Sequence, residues 1–458
     1  IRKLKEWVLA TQLEYHYTKE EIIAMYLNTV PFGMNNFGIK TAAKTYFGKD
    51  AINLKTEESA VLVGMLKAPT YYNPILNPEN SIDRREVVLS QMTKYGYLSQ
   101  EEYDSLRVLD LDVSLYKRLD HNEGLATYLR EYLRGELKDW CKTHYKADGT
   151  PYNLYKDGLR IYTTVDSRMQ RYAEEAVFEH LSDELQPRFF KHWSNKKRYP
   201  QAPFYNISKD QYNSILKQAM KRSERYRKIK KWENMPSQDS IDVIFNTPVK
   251  MKVFAYKGDF DTILSPMDSI IYYKHFLHTG MMSIEPHTGY VRAYVGGINY
   301  RHFKYDHVMV GKRQVGSTFK PFVYASAFQE LGYTPCTEVP NVPVTFQMPD
   351  GQPDWTPKNS GDAREGEMVS LKWALANSVN YISAFLMKRT GPQKVVELAR
   401  NMGVKSDIEL VPAICLGTPS LSVQEMVGAT ATYVNKGVYS KPLFITRIED
   451  KNGNVIED

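Results

Sequence analysis

The chain has 458 residues, of which 42% are hydrophobic and 25% charged, with 60 Lys and Arg set against 53 Asp and Glu for a net charge of +7. That composition excludes a disordered or fibrous chain and gives length for about three domains. The mild basic surplus fits an anionic lipid surface or a phosphorylated substrate, although solvated surface absorbs most of it. Cys141, Cys336 and Cys415 are odd in number, far apart and without metal-ligand spacing, so they read as free thiols. No run of eighteen apolar residues reads as a membrane span, and no signal peptide is visible. The sequence opens in mid-pattern at Ile1 without Met, which reads as a piece of something longer.

Residues 1–105 read as consecutive helices. The first covers about 2–16 and starts with the basic cluster Arg2, Lys3 and Lys5, followed by Glu6 and Trp7. Thr18 with Glu21 forms a capping box ahead of a helix through Ile22, Ile23, Met25 and Leu27. The loop from Pro31 to Gly38 holds Phe32, Met34 and Phe37, which fit a membrane-facing tip or core packing equally well. Thr56 is expected to cap the next helix and Ser81 to open another that closes at Gly96, while Ser99 with Glu102 is a second capping box.

Residues 106–157 are charged and tyrosine-rich and read as a linker region with one helix at 124–144. The run 158–165 alternates like a strand, and Asp166 caps the helix behind it. The stretch 185–235 is basic and aromatic, with Lys217, Lys221, Arg222, Arg225, Arg227, Lys228, Lys230 and Lys231 beside Tyr226 and Trp232. No nucleic-acid motif accompanies it, so it reads as a solvated helical insertion. Strands follow at 249–254, 281–284 and 290–295, the last two flanking the turn at Pro286–Gly289, and helices dominate from 318 to 436. This is the pattern of an α+β domain.

Within that domain, Gly316-Ser317-Thr318-Phe319-Lys320-Pro321-Phe322 sets a hydroxyl and an amine three residues apart at a helix start. A serine hydroxyl is a weak nucleophile until a base takes its proton. A lysine serves as that base only when burial or a neighbouring positive charge lowers its pKa. Residues three apart share a helix face, which brings Lys320 within reach of Ser317. Pro321 is tolerated only in the first turn, so Ser317 stands at the positive end of the helix dipole, where an oxyanion is stabilised. Ser378-Val379-Asn380 follows the helix at 371–376 and offers a second hydroxyl and an amide from a loop.

These segments, together with Trp355–Asn359 and Gly417-Thr418-Pro419 with Ser422 and Glu425, resemble the transpeptidase domain of class A penicillin-binding proteins. The N-terminal lobe is similar to the second half of the family's glycosyltransferase domain, of glycosyltransferase family 51. There Arg2-Lys3-Leu4-Lys5-Glu6 matches R-K-x-x-E, Tyr26-Leu27-Asn28 and Ala42–Lys49 match the next two blocks, and Tyr72-Asn73-Pro74 closes the lobe.

The resemblance implies a multidomain chain, with an all-α, lysozyme-like glycosyltransferase lobe represented by its C-terminal part and then an α+β, β-lactamase-like transpeptidase domain. The expected division is 1–105 for the lobe, 106–157 for the linker region, 158–270 for the start of the transpeptidase region with its basic insertion, and 271–458 for the transpeptidase domain. It implies that Ser317 attacks the D-Ala-D-Ala carbonyl, Lys320 acts as base, Ser378 relays a proton and Asn380 holds the substrate amide. In the lobe it implies a catalytic carboxylate at Glu6, with Arg2, Lys3 and Lys5 balancing the pyrophosphate of lipid II. The expected partners are lipid II, peptidoglycan, β-lactams and the membrane surface, with no nucleic acid. The place is the extracytoplasmic face of the bacterial inner membrane. The transpeptidase chemistry needs no cofactor, and a divalent metal for the glycosyltransferase half stays open because no ligand set is identifiable.

Two family elements are missing from the sequence. The first catalytic glutamate motif belongs upstream of Arg2, and no K-[ST]-G follows residue 380, since Arg389-Thr390-Gly391 reads as a helix end. The sequence therefore reads as an internal fragment of a bifunctional enzyme, with little or no activity expected of the fragment alone. The rival readings are a serine β-lactamase or carboxypeptidase, which shares the S-x-x-K chemistry, and a catalytically dead cell-wall scaffold.

Overall fold

The computed structural model describes residues 2–34, 36–117, 124–195, 197–232, 236–347, 353–361 and 364–458, without the side chains of Arg2, Leu4 and Lys5. It divides into two compact units, residues 1–120 and 121–458.

The described part of the first unit is helical: α1 (Arg2–His16), α2 (Lys19–Thr29), α3 (Ile39–Phe47), α4 (Thr56–Met65), α5 (Pro78–Lys94) and α6 (Gln100–Arg107). Local chemistry sets most of these boundaries. Thr18 accepts from the Glu21 N–H while the Glu21 carboxylate accepts from the Thr18 N–H, and Ser99 with Glu102 repeats the exchange. Two expected starts are corrected. Thr56 is already inside α4, capped by Lys55, whose N–H donates to Glu58. Ser81 is buried within α5, because Pro78 starts that helix behind Asn77 at the position where a missing N–H costs nothing.

The core of this unit gathers Phe32, Ala42, Ala43, Tyr46, Leu62 and Met65. The Tyr46 hydroxyl donates to the Phe32 carbonyl and accepts from Asn73 Nδ2. Asn73 Oδ1 in turn accepts from the N–H groups of Ile75 and Leu76, so the closing Tyr72-Asn73-Pro74 segment is a buried polar latch. Of the two readings the sequence leaves open for this loop, Phe32 takes core packing, whereas Phe37 is exposed.

The second unit begins with α7 (Thr127–Thr143), β1 (Arg160–Thr163) and α8 (Ser167–Glu179). Asp166 caps α8 by accepting from the N–H groups of Arg168 and Met169. Four helices follow: α9 (Gln186–Trp193), α10 (Lys209–Arg222), α11 (Glu224–Ile229) and α12 (Gln238–Asn246). Next come the antiparallel pair β2 (Val249–Val253) and β3 (Phe260–Leu264), then α13 (Pro266–Lys274). Met220, Ile229, Ile241 and Phe245 form a small core there, with Met267 and Ile270 of α13 packed on it, so the basic stretch is an ordered lobe.

The hairpin β4 (Met281–Ile284) and β5 (Val291–Val295) follows, as its turn predicted. β6 (Lys312–Gln314) leads to α14 (Lys320–Leu331), then β7 (Glu338–Pro340), β8 (Met368–Ser370), α15 (Leu371–Ala376), α16 (Asn380–Thr390), α17 (Pro392–Asn401), β9 (Ser420–Ser422) and α18 (Val423–Val434). β10 (Ile445–Glu449) runs antiparallel to β1 and to β11 (Val455–Glu457). Thr164 ties the strands together, its hydroxyl bonded to the carbonyls of Val291 and Leu443. Gln170 of α8 is buried and exchanges hydrogen bonds with the backbone of Tyr294, which fixes α8 on β5. The main core lies among the helices and contains Phe319, Phe322, Val323, Ile382, Leu386 and Ile414. It carries the ends of α14 and α16 that bear the candidate site.

Candidate active site

Ser317 stands on a 3₁₀ turn, Gly316–Phe319, that runs directly into α14. Pro321 lies in the first turn of α14, and Gly332 ends the helix in the left-handed conformation, both as the sequence predicted. Phe319 and Phe322 are buried with their ring centroids 4.9 Å apart and hold the helix start to the core.

The backbone before the serine is clamped from the far end of the domain. β6 pairs with β9 so that Arg313 faces Leu421 and Gln314 faces Ser420. Beyond the ladder, Val315 N–H donates to the Pro419 carbonyl at 3.0 Å and Gly316 N–H to the Gly417 carbonyl at 2.9 Å. Gly417 has φ +83°, and a Cβ there would lie 1.6 Å from the Gly316 oxygen, so only glycine fits. This is why Gly417-Thr418-Pro419 belongs to the site although it contributes no reacting group.

Lys320 is 1% exposed. Its ammonium donates to the Ser378 carbonyl at 2.5 Å, to Ser378 Oγ at 3.0 Å and to Asn380 Oδ1 at 2.7 Å. An ammonium has three donors, and all three are used. Burial pushes its pKa down to about 8, only slightly opposed by the buried Cys415 thiol beside it. Burial pushes that thiol up to about 12, so Cys415 is protonated at neutral pH and inert as a nucleophile. The Ser317 side chain is exposed, and its hydroxyl makes no hydrogen bond among the described residues. Sequence spacing thus brought Lys320 beside Ser317 along the chain, while the fold hands its amine to the Ser378 loop. The link between them is the Lys320 N–H, which donates to the Ser317 carbonyl.

The loop between α15 and α16 is held in an unusual form. Ser378 has φ +53°, a left-handed conformation that costs about 1 kcal/mol or more for a residue with a Cβ. The first N–H groups of α16, those of Asn380 and Tyr381, both donate to Asn359 Oδ1 at 2.9 and 3.1 Å. Asn380 Nδ2 donates to the Lys358 carbonyl at 2.7 Å, which turns its Oδ1 toward Lys320. Asn359 Nδ2 donates to Asn341 Oδ1, and Asn341 is fully buried. Asn359 is therefore the cap of α16, supplied from 21 residues upstream. The sequence singled out Trp355–Asn359 only by resemblance, and no local pattern marks this capping role.

Glu425, expected with Ser422, is a structural hub. Its carboxylate accepts from the N–H groups of Lys405, Ser406 and Ser422 and from the hydroxyls of Ser406 and Ser422. Burial alone would raise its pKa, but those donors hold it at about 2. In the first unit, Lys3 and Glu6 pair at 2.7 Å on the exposed surface of α1. The side chains of Arg2 and Lys5 lie outside the described residues. Among the described residues no group of three His, Cys, Asp or Glu side chains could hold a metal ion.

Comparison with known proteins places these parts in one family. Residues 1–93 match the transglycosylase family model, 199–277 the penicillin-binding protein middle domain and 279–458 the penicillin-binding protein transpeptidase domain. The chain is 26% identical to penicillin-binding protein 1A of Aquifex aeolicus, over all of this chain and 60% of that protein. It is 29% identical to penicillin-binding protein 1A of Haemophilus influenzae, over 99% of this chain and 53% of that protein. The crystal structure of the Haemophilus influenzae protein superposes with a TM-score of 0.58 at 25% identity, covering 96% of this chain and 64% of the other. The chain belongs to the class A penicillin-binding proteins. It spans little more than half the length of the curated relatives it matches.

Proposed function

We propose that the protein carrying this chain builds peptidoglycan, polymerising glycan strands from lipid II in the first unit and cross-linking stem peptides in the second. The observation that carries the second reading is the buried amine of Lys320, near its titration point and held against Ser378 and Asn380. In its neutral form it accepts the Ser317 proton as Ser317 Oγ attacks the carbonyl of the penultimate D-Ala. The tetrahedral oxyanion forms at the start of α14, where the helix dipole favours it. Collapse breaks the peptide bond, and the departing D-Ala amine takes a proton through Ser378. An amine of a neighbouring stem peptide then attacks the ester, releases Ser317 and loses its extra proton to the same relay. Asn380 holds the donor's amide, and a β-lactam, which presents a strained amide to the same serine, is trapped at the ester stage.

In the first unit, Glu6 supplies one of two carboxylates needed for glycosyl transfer. Lys3, Arg2 and Lys5 neutralise the pyrophosphate of the lipid-linked donor. Any divalent metal in that half would act on the same pyrophosphate. The domain division proposed is 1–105, 106–157, 158–270 and 271–458, and the working place is the outer face of the bacterial inner membrane. The test is covalent labelling of the intact protein with a fluorescent penicillin. The wild type is expected to label and Ser317→Ala to stay dark. A dark wild type would overturn the acyl-enzyme reading in favour of a scaffold.

A further inference from the structure

The basic stretch remains unused by this chemistry. Between residues 217 and 231 eight basic side chains face Glu224 alone, a surplus of seven, and the whole chain carries +7. The formal charge excess of the chain therefore equals that of fifteen consecutive residues, and the formal charges of the rest sum to zero. These residues are held in place. Ser208 caps α10 in a capping box with Gln211, Ser223 caps α11, and Met220 and Ile229 anchor both helices in the small core.

Lys228 pairs with Glu224 at 2.9 Å, but Lys217, Lys221, Arg225, Lys230 and Lys231 make no ion pair among the described residues. Like charges one helical turn apart destabilise a helix. The array is an electrostatic load on the fold that an anionic partner would relieve.

The array also has a shape. Glu224, Arg225, Lys228, Ile229, Trp232 and Ile244 line a groove of about 520 Å³ between α11 and α12. Its floor is apolar, with Ile229 buried, and its rim carries Arg225, the Lys228–Glu224 pair and the half-exposed indole of Trp232. A flat lipid surface is met by apolar side chains that project from the protein, whereas a recessed apolar floor with a cationic rim receives a projecting side chain. We infer that this lobe is a docking surface for an acidic segment of a partner protein, whose carboxylates meet the α10–α11 cations while a large apolar side chain enters the groove.

The test uses the 458-residue chain and a fluorescent eight-residue peptide of Glu and Asp with one central Leu, read by anisotropy at low salt. Binding is expected to weaken at least about tenfold in the combined variant Arg225→Glu, Lys228→Glu, Lys230→Glu, Lys231→Glu. It is expected to weaken about fivefold when the peptide's Leu becomes Ala, and by a similar factor in Trp232→Ala, whose exposed side chain can be lost without unfolding. The variant Lys250→Glu, Lys252→Glu on β2 is expected to bind like the wild type. Binding that ignores the Leu-to-Ala change, or that falls equally in the β2 variant, would reduce the surface to unspecific charge and overturn the proposal. Patch-dependent cosedimentation with phosphatidylglycerol vesicles, without peptide binding, would overturn it in favour of a membrane surface.

Discussion

At the scale of one residue, the proposed reactivity of the site rests on Lys320. Its amine acts as base only when neutral, and burial holds its pKa at about 8 rather than the usual 10.5. The rate of acylation by a fluorescent penicillin should therefore climb with pH and level off above about 8. A profile flat from pH 6 to 10 would remove Lys320 from the base role. Lys320→Arg keeps the charge and the donors but cannot deprotonate, so it should lower the acylation rate by about 10²–10⁴. The sign for stability follows from the same shift. Between about pH 8 and 10.5 the unfolded chain holds a proton that the folded chain has released, so stability rises with pH across that window. Glu425 follows the same sign in a lower window, because its folded pKa is also depressed. Its depressed pKa stabilises the fold above about pH 4.5, and that contribution disappears as the pH falls toward 2.

At the scale of elements, two glycines in contact should respond differently to the same substitution. Gly417 has a positive φ, and a Cβ there would collide with the Gly316 backbone. Gly316 also has a positive φ, +56°, but a Cβ there would meet nothing within 4 Å. Gly417→Ala should cost about 3 kcal/mol or more and displace the serine turn, whereas Gly316→Ala should cost only the conformational penalty of about 1 kcal/mol. Thermal unfolding together with penicillin labelling separates the two. Equal effects would mean that the contact between the loops does not position the serine.

The same elements show what the sequence could convey. Caps made within four residues, at Thr18, Ser99 and Asp166, were legible because donor and acceptor are neighbours in the chain. The Ser81 start was misread because Pro78 is a stronger local signal for the same helix. The pairing of β1 with β10 and the capping of α16 by Asn359 were not legible, since each joins residues that only the folded chain brings together. Likewise, spacing placed Lys320 one turn from Ser317, but only tertiary packing shows its amine bonded to Ser378 and Asn380.

At the scale of the whole molecule, the order of the parts was readable because each carries its own motifs, and the structure adds that each has its own core. The core around Leu62 draws all its buried members from the first unit, and the core beneath Ser317 draws its own from the second. A cavity cut into one is not shared with the other. Leu62 is fully buried, so Leu62→Ala should destabilise the first unit by about 3 kcal/mol. Acylation of Ser317 should keep its wild-type rate in that variant at temperatures where the first unit is still folded. Ile382, fully buried in α16 two residues beyond Asn380, gives the converse. Ile382→Ala should slow acylation as well as destabilise, because the cavity lies under the helix start that aims Asn380 at Lys320. Calorimetry locates the destabilised unit, and the labelling rate reports the site. A Leu62→Ala variant that acylates as slowly as Ile382→Ala would show that the two cores are energetically one.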